Sequence, residues 1–536
     1  MRTLKPLYVS SIIALALASC GTPKMISTPI ENVDQQPLKI TPLAENDLKR
    51  WSHLDLVKDT VPGMSVDKAY AELLKGKKSS TVIVGIVDSG VDIRHEDLQG
   101  QIWTNPKEIA NNGKDDDNNG YIDDVHGWNF LGDSNNEQLE KTRIVAKGPG
   151  TPDYDKAKAE LDADIADVMQ TKQQIDMIVG ADKAIKDYLK KDNFTLEDVK
   201  AMQTEDPTLS QYKAMFTQIL SNTSKEDFDK RIKGGVDYVY DQLNYNLNVD
   251  FNGRKIVGDN PEDINDTKYG NNNVIGPNPE DAKHGTHVAG IVAQVRGNGK
   301  GGDGVAKDVK IMAVRAVPNG DEYDKDIALG IRYAVDNGAK VINGSFGKYF
   351  SPHKEWVQDA LKYAASKDVL VIFAAGNDSK DLDLENKYPS DSYNGAPEIS
   401  NNVLIVGALN VEYGAKMVAP FSNYGKKNVD VFAPGEEIYA TVPNNKYKYL
   451  QGTSMAAPNA AGVAALIRSY YPKLKASQVK QILMDSGVAL PSMVVLGENH
   501  NPEAKPVAVS STESSRTAKM VNAYNALLMA EKMSKK

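Results

Sequence analysis

The sequence predicts an α/β fold, in which a doubly wound, mostly parallel sheet carries helices on both faces and a helical insertion interrupts the chain. Three observations support this prediction. After residue 280, short apolar runs alternate with segments of helical periodicity. The apolar runs are continuous, which is typical of strands buried on both faces of a parallel sheet. Residues 136–250 are instead charged, with apolar residues at helical spacing.

The individual elements follow from these patterns. Apolar runs rich in β-branched residues predict strands at Thr81–Val87, Val309–Val314, Lys340–Asn343, Val369–Ala375 and Val403–Ala408. Helical periodicity predicts helices at His284–Val295, Asp326–Asn337, His353–Lys367, Ser454–Tyr470 and Ser477–Ser486. Strands and helices that alternate in this way imply a parallel sheet covered on both faces.

Length and composition bound the function. The chain has 536 residues, enough for one large α/β domain with insertions or for two or three smaller domains. Hydrophobic residues make up 41% and charged residues 25%, as in ordinary globular proteins. The net charge of −9 provides no basic surface, so we expect no nucleic-acid partner. We also predict no organic cofactor.

The first 20 residues have the pattern of a secretory signal. Arg2 and Lys5 precede a short apolar core, Val9–Ala18, which is too short for a comfortable membrane span. No later segment has the roughly 20 consecutive apolar residues of a transmembrane helix. Residues 21–50 are polar and predict a tether with little structure.

Cys20 is the sole cysteine, so disulfides within one chain are excluded. The segment Leu17-Ala-Ser-Cys-Gly21 resembles the lipobox of bacterial lipoproteins. That resemblance implies lipidation of Cys20 and a lipid-anchored membrane protein of the bacterial cell envelope, facing the periplasm or the cell surface. The alternative is a cleaved signal peptide with an incidental cysteine.

The rest of the chain divides into three parts: residues 51–135, the insertion at 136–250, and residues 251–536. Within the insertion, Gly180 and Asp182 interrupt the helical pattern, which predicts a break or bend there, and Thr195 predicts the N-cap of a further helix. The apolar stripe is Leu161, Ile165, Val168, Ile175, Ile178, Ile185 and Leu189. Packing within a helix hairpin is the more ordinary interpretation of the stripe, and a coiled-coil site for a partner is the alternative.

Three short segments carry the candidate chemistry: Asp88–Asp92, His284–Gly290 and Gly452–Pro458. Asp88 stands where a buried strand ends, the usual place for functional groups in open α/β sheets. His284 starts a predicted helix after a polar loop, so its ring can face a crevice. Ser454 stands at the start of another predicted helix, where N–H groups favour developing negative charge. A serine hydroxyl becomes a nucleophile when a histidine removes its proton, and that histidine needs a carboxylate to orient it.

These segments resemble the three signatures of the subtilase family, and the order Asp, His, Ser along the chain is that of subtilisin. The resemblance implies a subtilisin-like fold and a serine endopeptidase of polypeptide substrates, with Asp88, His284 and Ser454 as catalytic triad. Ala374-Ala-Gly-Asn377 resembles the family's oxyanion-hole segment, so Asn377 would donate to the tetrahedral intermediate. Val341–Gly347 resembles the strand that pairs with substrate, and this likeness implies that Ser345, Phe346 and Gly347 line the site for the residue before the scissile bond.

Two other functions remain open from the sequence. A processing protease or peptide ligase would use the same triad and, as a ligase, pass the acyl group to an amine. An inactive subtilase-fold lipoprotein would bind a partner through its helical insertion. The insertion leaves the chain between two catalytic segments, so it could also gate the cleft and restrict substrates.

An acidic loop predicts a structural calcium ion. Residues 115–123 follow the pattern D-x-D-x-N-G-x-x-D, the first nine positions of a calcium loop, with Asp115, Asp117, Asn119, Tyr121 and Asp123 as candidate ligands. His126 replaces the bidentate glutamate expected at the twelfth position, so Asp124 or a remote carboxylate would have to substitute. The alternative is a solvated acidic turn. His284 and His287 also stand three residues apart, but without a third ligand nearby we expect His287 to be a packed helix residue.

Overall fold

The computed structural model describes residues 41–497 and 507–535. The predicted signal peptide, Cys20 and most of the predicted tether therefore lie outside the described residues. No helix within the described ranges combines the length and the apolar character that crossing a membrane requires.

A nine-stranded sheet forms the centre of the described part of the protein, and four further strands form two small antiparallel pairs outside it. In chain order the strands are β1 (Val82–Asp88), β2 (Gly127–Asn129), β3 (Val309–Arg315), β4 (Val341–Gly344), β5 (Leu370–Ala374), β6 (Val403–Leu409), β7 (Val431–Pro434), β8 (Ile438–Val442), β9 (Lys446–Leu450), β10 (Val488–Ala489), β11 (Met493–Val495), β12 (Ala508–Ser510) and β13 (Lys519–Met520). The main sheet has the order β10-β13-β7-β6-β5-β4-β1-β3-β2, and all its pairs are parallel except β10 with β13. The antiparallel pairs β8–β9 and β11–β12 lie outside it.

The helices cover the sheet and build the insertion. They are α1 (Glu45–Leu48), α2 (Val66–Ala69), α3 (Glu140–Lys147), α4 (Tyr154–Leu189), α5 (Leu196–Ala201), α6 (Pro207–Asn222), α7 (Lys225–Asp241), α8 (Arg254–Val257), α9 (Lys283–Ala293), α10 (Asp324–Asp336), α11 (Lys354–Ser366), α12 (Thr453–Tyr470), α13 (Ala476–Asp485) and α14 (Ala523–Ser534). Short 3₁₀ or π turns occupy Trp51–His53, Tyr70–Leu74, Glu96–Leu98, Gln242–Asn246, Pro279–Ala282 and Ser511–Glu513.

Successive side chains of a strand point to opposite faces of the sheet. In the apolar strands both of these faces are buried. In β1, Val84 and Ile86 pack in a core with α9, α12, α13 and α14. Val87 belongs to a second core on the other side of the sheet, together with α10 and α11. This arrangement explains why the strand sequences are continuous apolar runs.

Helices α3 to α7 form the segment predicted as an insertion. The apolar stripe of α4 lies in two clusters within this segment, one around Phe216 and one around Leu161. Thr195 caps α5 as predicted, since its side chain accepts from Asp198 N while the Asp198 side chain accepts from Thr195 N.

The predicted break near Gly180 and Asp182 is wrong, because α4 is continuous over 36 residues. Asp182 remains in the helix as an ion-pair partner: its carboxylate lies 2.6 Å from Lys186 Nζ on the same helix and 3.0 Å from Lys225 Nζ at the start of α7. A charge that breaks the apolar stripe therefore joins two helices of the insertion.

Candidate active site

The residues of the predicted triad gather at one edge of the sheet. Asp88 is the last residue of β1, and β4 and β5, which follow it in the sheet, end just before Ser345 and Ala375. Because these strands are parallel, their carboxyl ends lie side by side. Helices α9 and α12 bring His284 and Ser454 to this edge within their first two residues.

Asp88 and His284 form a direct hydrogen bond. Nδ1 of His284 donates to Asp88 Oδ1 at 2.7 Å, and Ser89 N donates to the same oxygen at 2.8 Å. Asp88 is 1% exposed, whereas the His284 side chain is 37% exposed. The buried carboxylate thus fixes the tautomer of a histidine whose other nitrogen is free to act in the cleft.

Gly285 permits this close approach. A Cβ at this position would lie 2.1 Å from the carbonyl oxygen of Gly90 and 3.1 Å from Asp88 Oδ1. Any larger residue would push the start of α9 away from the end of β1. The glycine after the histidine is therefore a steric requirement of the hydrogen bond.

The environment raises the pKa of His284. Burial alone would lower it, but the Coulomb attraction and the hydrogen bond of Asp88 outweigh that effect, and Lys283 opposes them weakly. The imidazolium that forms when His284 takes a proton is stabilised by the same pair.

Ser454 is held by contacts with the end of β4. Its hydroxyl donates to the Ser345 carbonyl oxygen at 3.2 Å. Its own carbonyl accepts from the Ser345 hydroxyl at 2.8 Å. Pro458, four residues later in α12, has no N–H for that carbonyl, so Ser345 replaces a missing helix bond. Among the described residues no hydrogen bond joins Ser454 to His284, and such contacts tighten when substrate binds.

Two N–H donors flank an open space beside Ser454. Asn377 Oδ1 accepts from Thr453 N at 2.8 Å and from Thr453 Oγ1 at 2.9 Å, which fixes the side-chain amide with Nδ2 on the other side. A Cβ on Gly452 would lie 3.3 Å from that Nδ2 and 3.5 Å from Ser454 N. Gly452 has φ of +147°, so a side chain is excluded there and the space stays open. Sequence reasoning missed Thr453, although it lies inside the serine motif.

A cleft of about 480 Å³ extends from His284 along the segment after β4. Ser345, Phe346 and Gly347 line one side, and the loop 317–322 lines the other. Acidic residues outnumber basic ones in the lining of the cleft, which includes Asp241, Glu280, Asp281, Asp321 and Glu322 together with Lys283 and Arg315.

The insertion supports the rim of this cleft. Arg143 in α3 donates to the carbonyl oxygens of Asp321 at 2.9 Å and Glu322 at 3.1 Å. Asp241, at the end of α7, accepts from Asn319 Nδ2 at 2.9 Å and lines the cleft itself. The insertion therefore contacts the loop that faces His284.

Of the three aspartates in the predicted calcium set, the structure brings together Asp115 and Asp117 but not Asp123. Carboxylate oxygens of Asp115 and Asp117 approach each other, and Gly120 makes the sharp turn with φ of +98°. Asp123 is turned away and accepts from Asn112 N and Gly113 N. The amide of Asn119 donates to Asp124, and the ring of Tyr121 packs on Trp128, Phe130 and Tyr333.

Glu108 is the carboxylate that sequence reasoning did not name. One oxygen each from Glu108, Asp115 and Asp117 lie within 4.8 Å of one another. Glu108 Oε1 accepts from Asp116 N and Asp117 N, whereas its buried Oε2 has no hydrogen-bond partner within residues 41–497 and 507–535. Asp124, the other candidate for the twelfth position, is buried and accepts from Asn105, Asn119 and Tyr333, and burial raises its pKa to about 6.

His287 lies three residues after His284 in α9, where its side chain packs into the interior. It is fully buried, and its Nε2 donates to the Lys448 carbonyl oxygen at 3.0 Å. Burial lowers its pKa to about 4, so the ring is neutral at physiological pH. It is a packed helix residue in contact with strand β9.

The model of the Subtilase family matches residues 79–514. Thermophilic serine proteinase of Bacillus sp. (strain AK1) is 43% identical over 187 residues, covering 35% of this chain and 42% of the relative. Cell wall-associated protease of Bacillus subtilis (strain 168) is 40% identical over 204 residues, covering 38% and 21%. Subtilisin-like protease 1 of Plasmodium falciparum (isolate 3D7) is 33% identical over 285 residues, covering 49% and 40%.

The chain thus spans less than half the length of each of these relatives. A solved structure described as proteases from Pseudoalteromonas arctica aligns with a TM-score of 0.37 and 30% identity, covering 46% of this chain and 70% of that one.

Proposed function

Since the chain belongs to the subtilase family, we propose that it is a serine endopeptidase whose triad is Asp88, His284 and Ser454. The direct Asp88–His284 hydrogen bond, made possible by Gly285, is the observation that carries the proposal. It supplies an oriented base beside a serine at a helix start, which is the arrangement that acyl transfer requires.

The proposed reaction is hydrolysis of a peptide bond through an acyl-enzyme. Ser454 Oγ attacks the carbonyl carbon while His284 Nε2 takes the hydroxyl proton, and Asp88 stabilises the resulting imidazolium. The oxyanion accepts from Asn377 Nδ2 and Ser454 N, the two donors that flank Gly452. His284 then protonates the leaving amine, and water, deprotonated by His284, releases the acid and restores Ser454.

The substrate class is an extended polypeptide. The backbone after β4, at Ser345–Gly347, borders the cleft and leads directly to Ser454. A substrate strand added along this edge would place its carbonyl at the nucleophile.

Two variants test this function. Ser454→Ala should abolish cleavage of a protein substrate and labelling by an active-site phosphonate. Asn377→Ala should retain labelling but lower kcat by about 10²–10³-fold, the size known for the corresponding donor of subtilisin, with a smaller change in KM. Parental activity in Ser454→Ala would overturn the assignment.

The same experiment separates the two alternatives. A peptide ligase would be labelled at Ser454, but mass spectrometry would find products joined to an added amine. An inactive binding lipoprotein would neither cleave nor react with the phosphonate.

We also propose that Glu108, Asp115 and Asp117 hold a structural calcium ion. Hard oxygen ligands of this kind suit Ca²⁺, and the buried Oε2 of Glu108, which accepts no hydrogen bond from the described residues, is available as a further ligand. The ion would stabilise the loop 105–124 and would take no part in the reaction proposed above.

Because α3 and α7 contact the loop 317–322 at the cleft, we propose that the insertion limits which substrates reach His284.

The lipobox resemblance leads us to propose that Cys20 anchors the protein to a membrane of the bacterial envelope. Cys20→Ala should release the protein from the membrane fraction, and labelled palmitate should enter the parent alone. Equal distribution of the two proteins between fractions would contradict the anchor.

A further inference from the structure

Lys387 lies between the two backbone segments that lead into the active site. A Cβ on Gly347 would lie 2.1 Å from Lys387 Nζ, and a Cβ on Gly376 would lie 3.0 Å from its Cδ. Gly347 belongs to the segment after β4, and Gly376 precedes Asn377. The lysine side chain therefore crosses the gap between these segments, and the absence of side chains at both glycines makes room for it.

This gap is where the side chain of the residue before the scissile bond must enter. In the proposed reaction the carbonyl carbon of that residue lies at Ser454 and its oxygen at Asn377. Its Cβ is only two bonds from that carbon, so its side chain starts between the same two segments. Lys387 is at the floor of that space.

The polar contacts of Lys387 leave one donor unused. Its Nζ donates to the carbonyl oxygens of Phe346 at 3.0 Å and Ala374 at 2.9 Å. An ammonium group has three N–H donors, and within the described ranges these two carbonyls are its hydrogen-bond partners. Both bonds fix Nζ at the floor of the gap.

Lys387 also differs from the other buried lysines. Four lysines are buried in the part of the chain that the structure describes, and Lys387 is 8% exposed. The other three each form an ion pair with at least one carboxylate: Lys325 with Asp259, Lys348 with Glu140 and Asp324, and Lys480 with Glu398. Lys387 has no such pair among the described residues. A buried charge without a counter-charge is costly, so a carboxylate supplied by a ligand would be favoured.

Two acidic groups influence Lys387 from a greater distance, Glu322 and Asp378. Burial lowers the pKa of Lys387 to about 8, and the attraction of these two carboxylates opposes that shift. Burial also raises the pKa of Glu322, to about 7. Neither of these carboxylates lies within ion-pair distance of Lys387 Nζ in the described part of the chain.

We propose that Lys387 determines specificity by selecting an acidic side chain, glutamate or aspartate, in the residue before the scissile bond. This inference rests on the proposed peptidase function and adds the substrate preference of the same site. The carboxylate would accept the free N–H of Lys387 in a charge-assisted hydrogen bond.

The test uses peptides that are identical except for the residue before the scissile bond, with glutamate, aspartate, glutamine, alanine, leucine or lysine there. The remaining residues are neutral, because acidic side chains line the neighbouring cleft. We expect kcat/KM for the glutamate or the aspartate peptide to exceed that for the glutamine peptide by about ten-fold or more.

Lys387→Met removes the charge but keeps much of the side-chain length, and it should bring the acidic-to-glutamine ratio to unity or below. Lys380→Met is the matched control, since Lys380 is a partly exposed lysine nearby that pairs with Glu385, and it should keep the parental ratio. The parental ranking alone tests the inference even where Lys387→Met does not fold.

The outcomes are distinct. A parent that reacts with the phosphonate at Ser454 and cleaves the alanine or leucine peptide best would overturn the inference and leave the triad intact; Lys387 would then only fill the site. A parent that neither reacts nor cleaves any peptide would contradict the proposed function itself.

Discussion

At the residue scale, the candidate site depends on atoms that approach one another closely and on spaces that stay open. Gly285 admits the Asp88–His284 hydrogen bond, and Gly452 leaves room between two N–H donors. Sequence motifs could predict His284 and Ser454, because each motif is local. They could not predict that Ser345 supplies the hydrogen bond that Pro458 removes, since these residues are more than 100 positions apart.

The pH dependence of activity should reflect the ionisation of His284, whose pKa is raised by Asp88. His284 must be neutral to accept a proton, and its pKa is raised above the ordinary 6.5. The acidic limb of kcat/KM should therefore rise with pH and reach its midpoint above 6.5. Asp88→Asn removes the attraction, so residual activity should be lower and its midpoint should move to lower pH. A parental midpoint at or below 6.5 would contradict this account.

At the element scale, strands and helices of the α/β domain follow closely from the sequence. The predicted strand Val403–Ala408 corresponds to β6, Val403–Leu409, and the predicted helix Ser454–Tyr470 corresponds to α12, Thr453–Tyr470. The break predicted in α4 does not occur. Helix propensity is a local property, whereas Asp182 forms an ion pair with Lys225 of α7, a separate helix of the insertion. Tertiary ion pairs of this kind are invisible to a local pattern.

Stabilisation of the acidic loop by Ca²⁺ should depend on Glu108, which the structure groups with Asp115 and Asp117. Saturating Ca²⁺ at about 100 times Kd adds roughly 2.7 kcal/mol to the free energy of unfolding, so we expect Tm to rise by a few degrees in the parent. Glu108→Gln should reduce that rise strongly, measured by differential scanning calorimetry with and without Ca²⁺.

Asp123→Asn is the matched control, since Asp123 accepts from Asn112 N and Gly113 N rather than facing Glu108. It should lower the basal Tm but retain the calcium-dependent rise. The reverse result, with the rise lost in Asp123→Asn and kept in Glu108→Gln, would favour the ligand set predicted from the sequence.

At the scale of the whole molecule, segments that are far apart in the sequence meet at the candidate sites. Glu108 and Lys387 were not predicted, because neither stands in a recognisable motif. Glu108 precedes the acidic loop, and Lys387 belongs to a loop after β5 that returns beneath Gly347 and Gly376. Each acquires its chemical setting only from the fold.

Removal of α4 to α7 tests whether the insertion restricts the access of substrates to the cleft. Replacing residues 150–241 by a short glycine–serine linker keeps α3 and its bonds to Asp321 and Glu322. If α4 to α7 restrict access, kcat/KM for a folded protein substrate should rise several-fold relative to that for a short peptide. Gel-based cleavage assays and a fluorogenic peptide measure the two rates, and an unchanged ratio would refute the restriction.

The position of β1 has a consequence for synthesis. β1 pairs with β3 and β4, whose partners for Val84 are Ile311 and Val341. More than 200 residues must therefore leave the ribosome before the central strand has either neighbour, and Ser454 emerges later still. Pairings over such separations form slowly. The nascent chain consequently cannot bring Asp88, His284 and Ser454 together before residue 454 has left the ribosome, and the proposed proteolytic activity would not appear before that point.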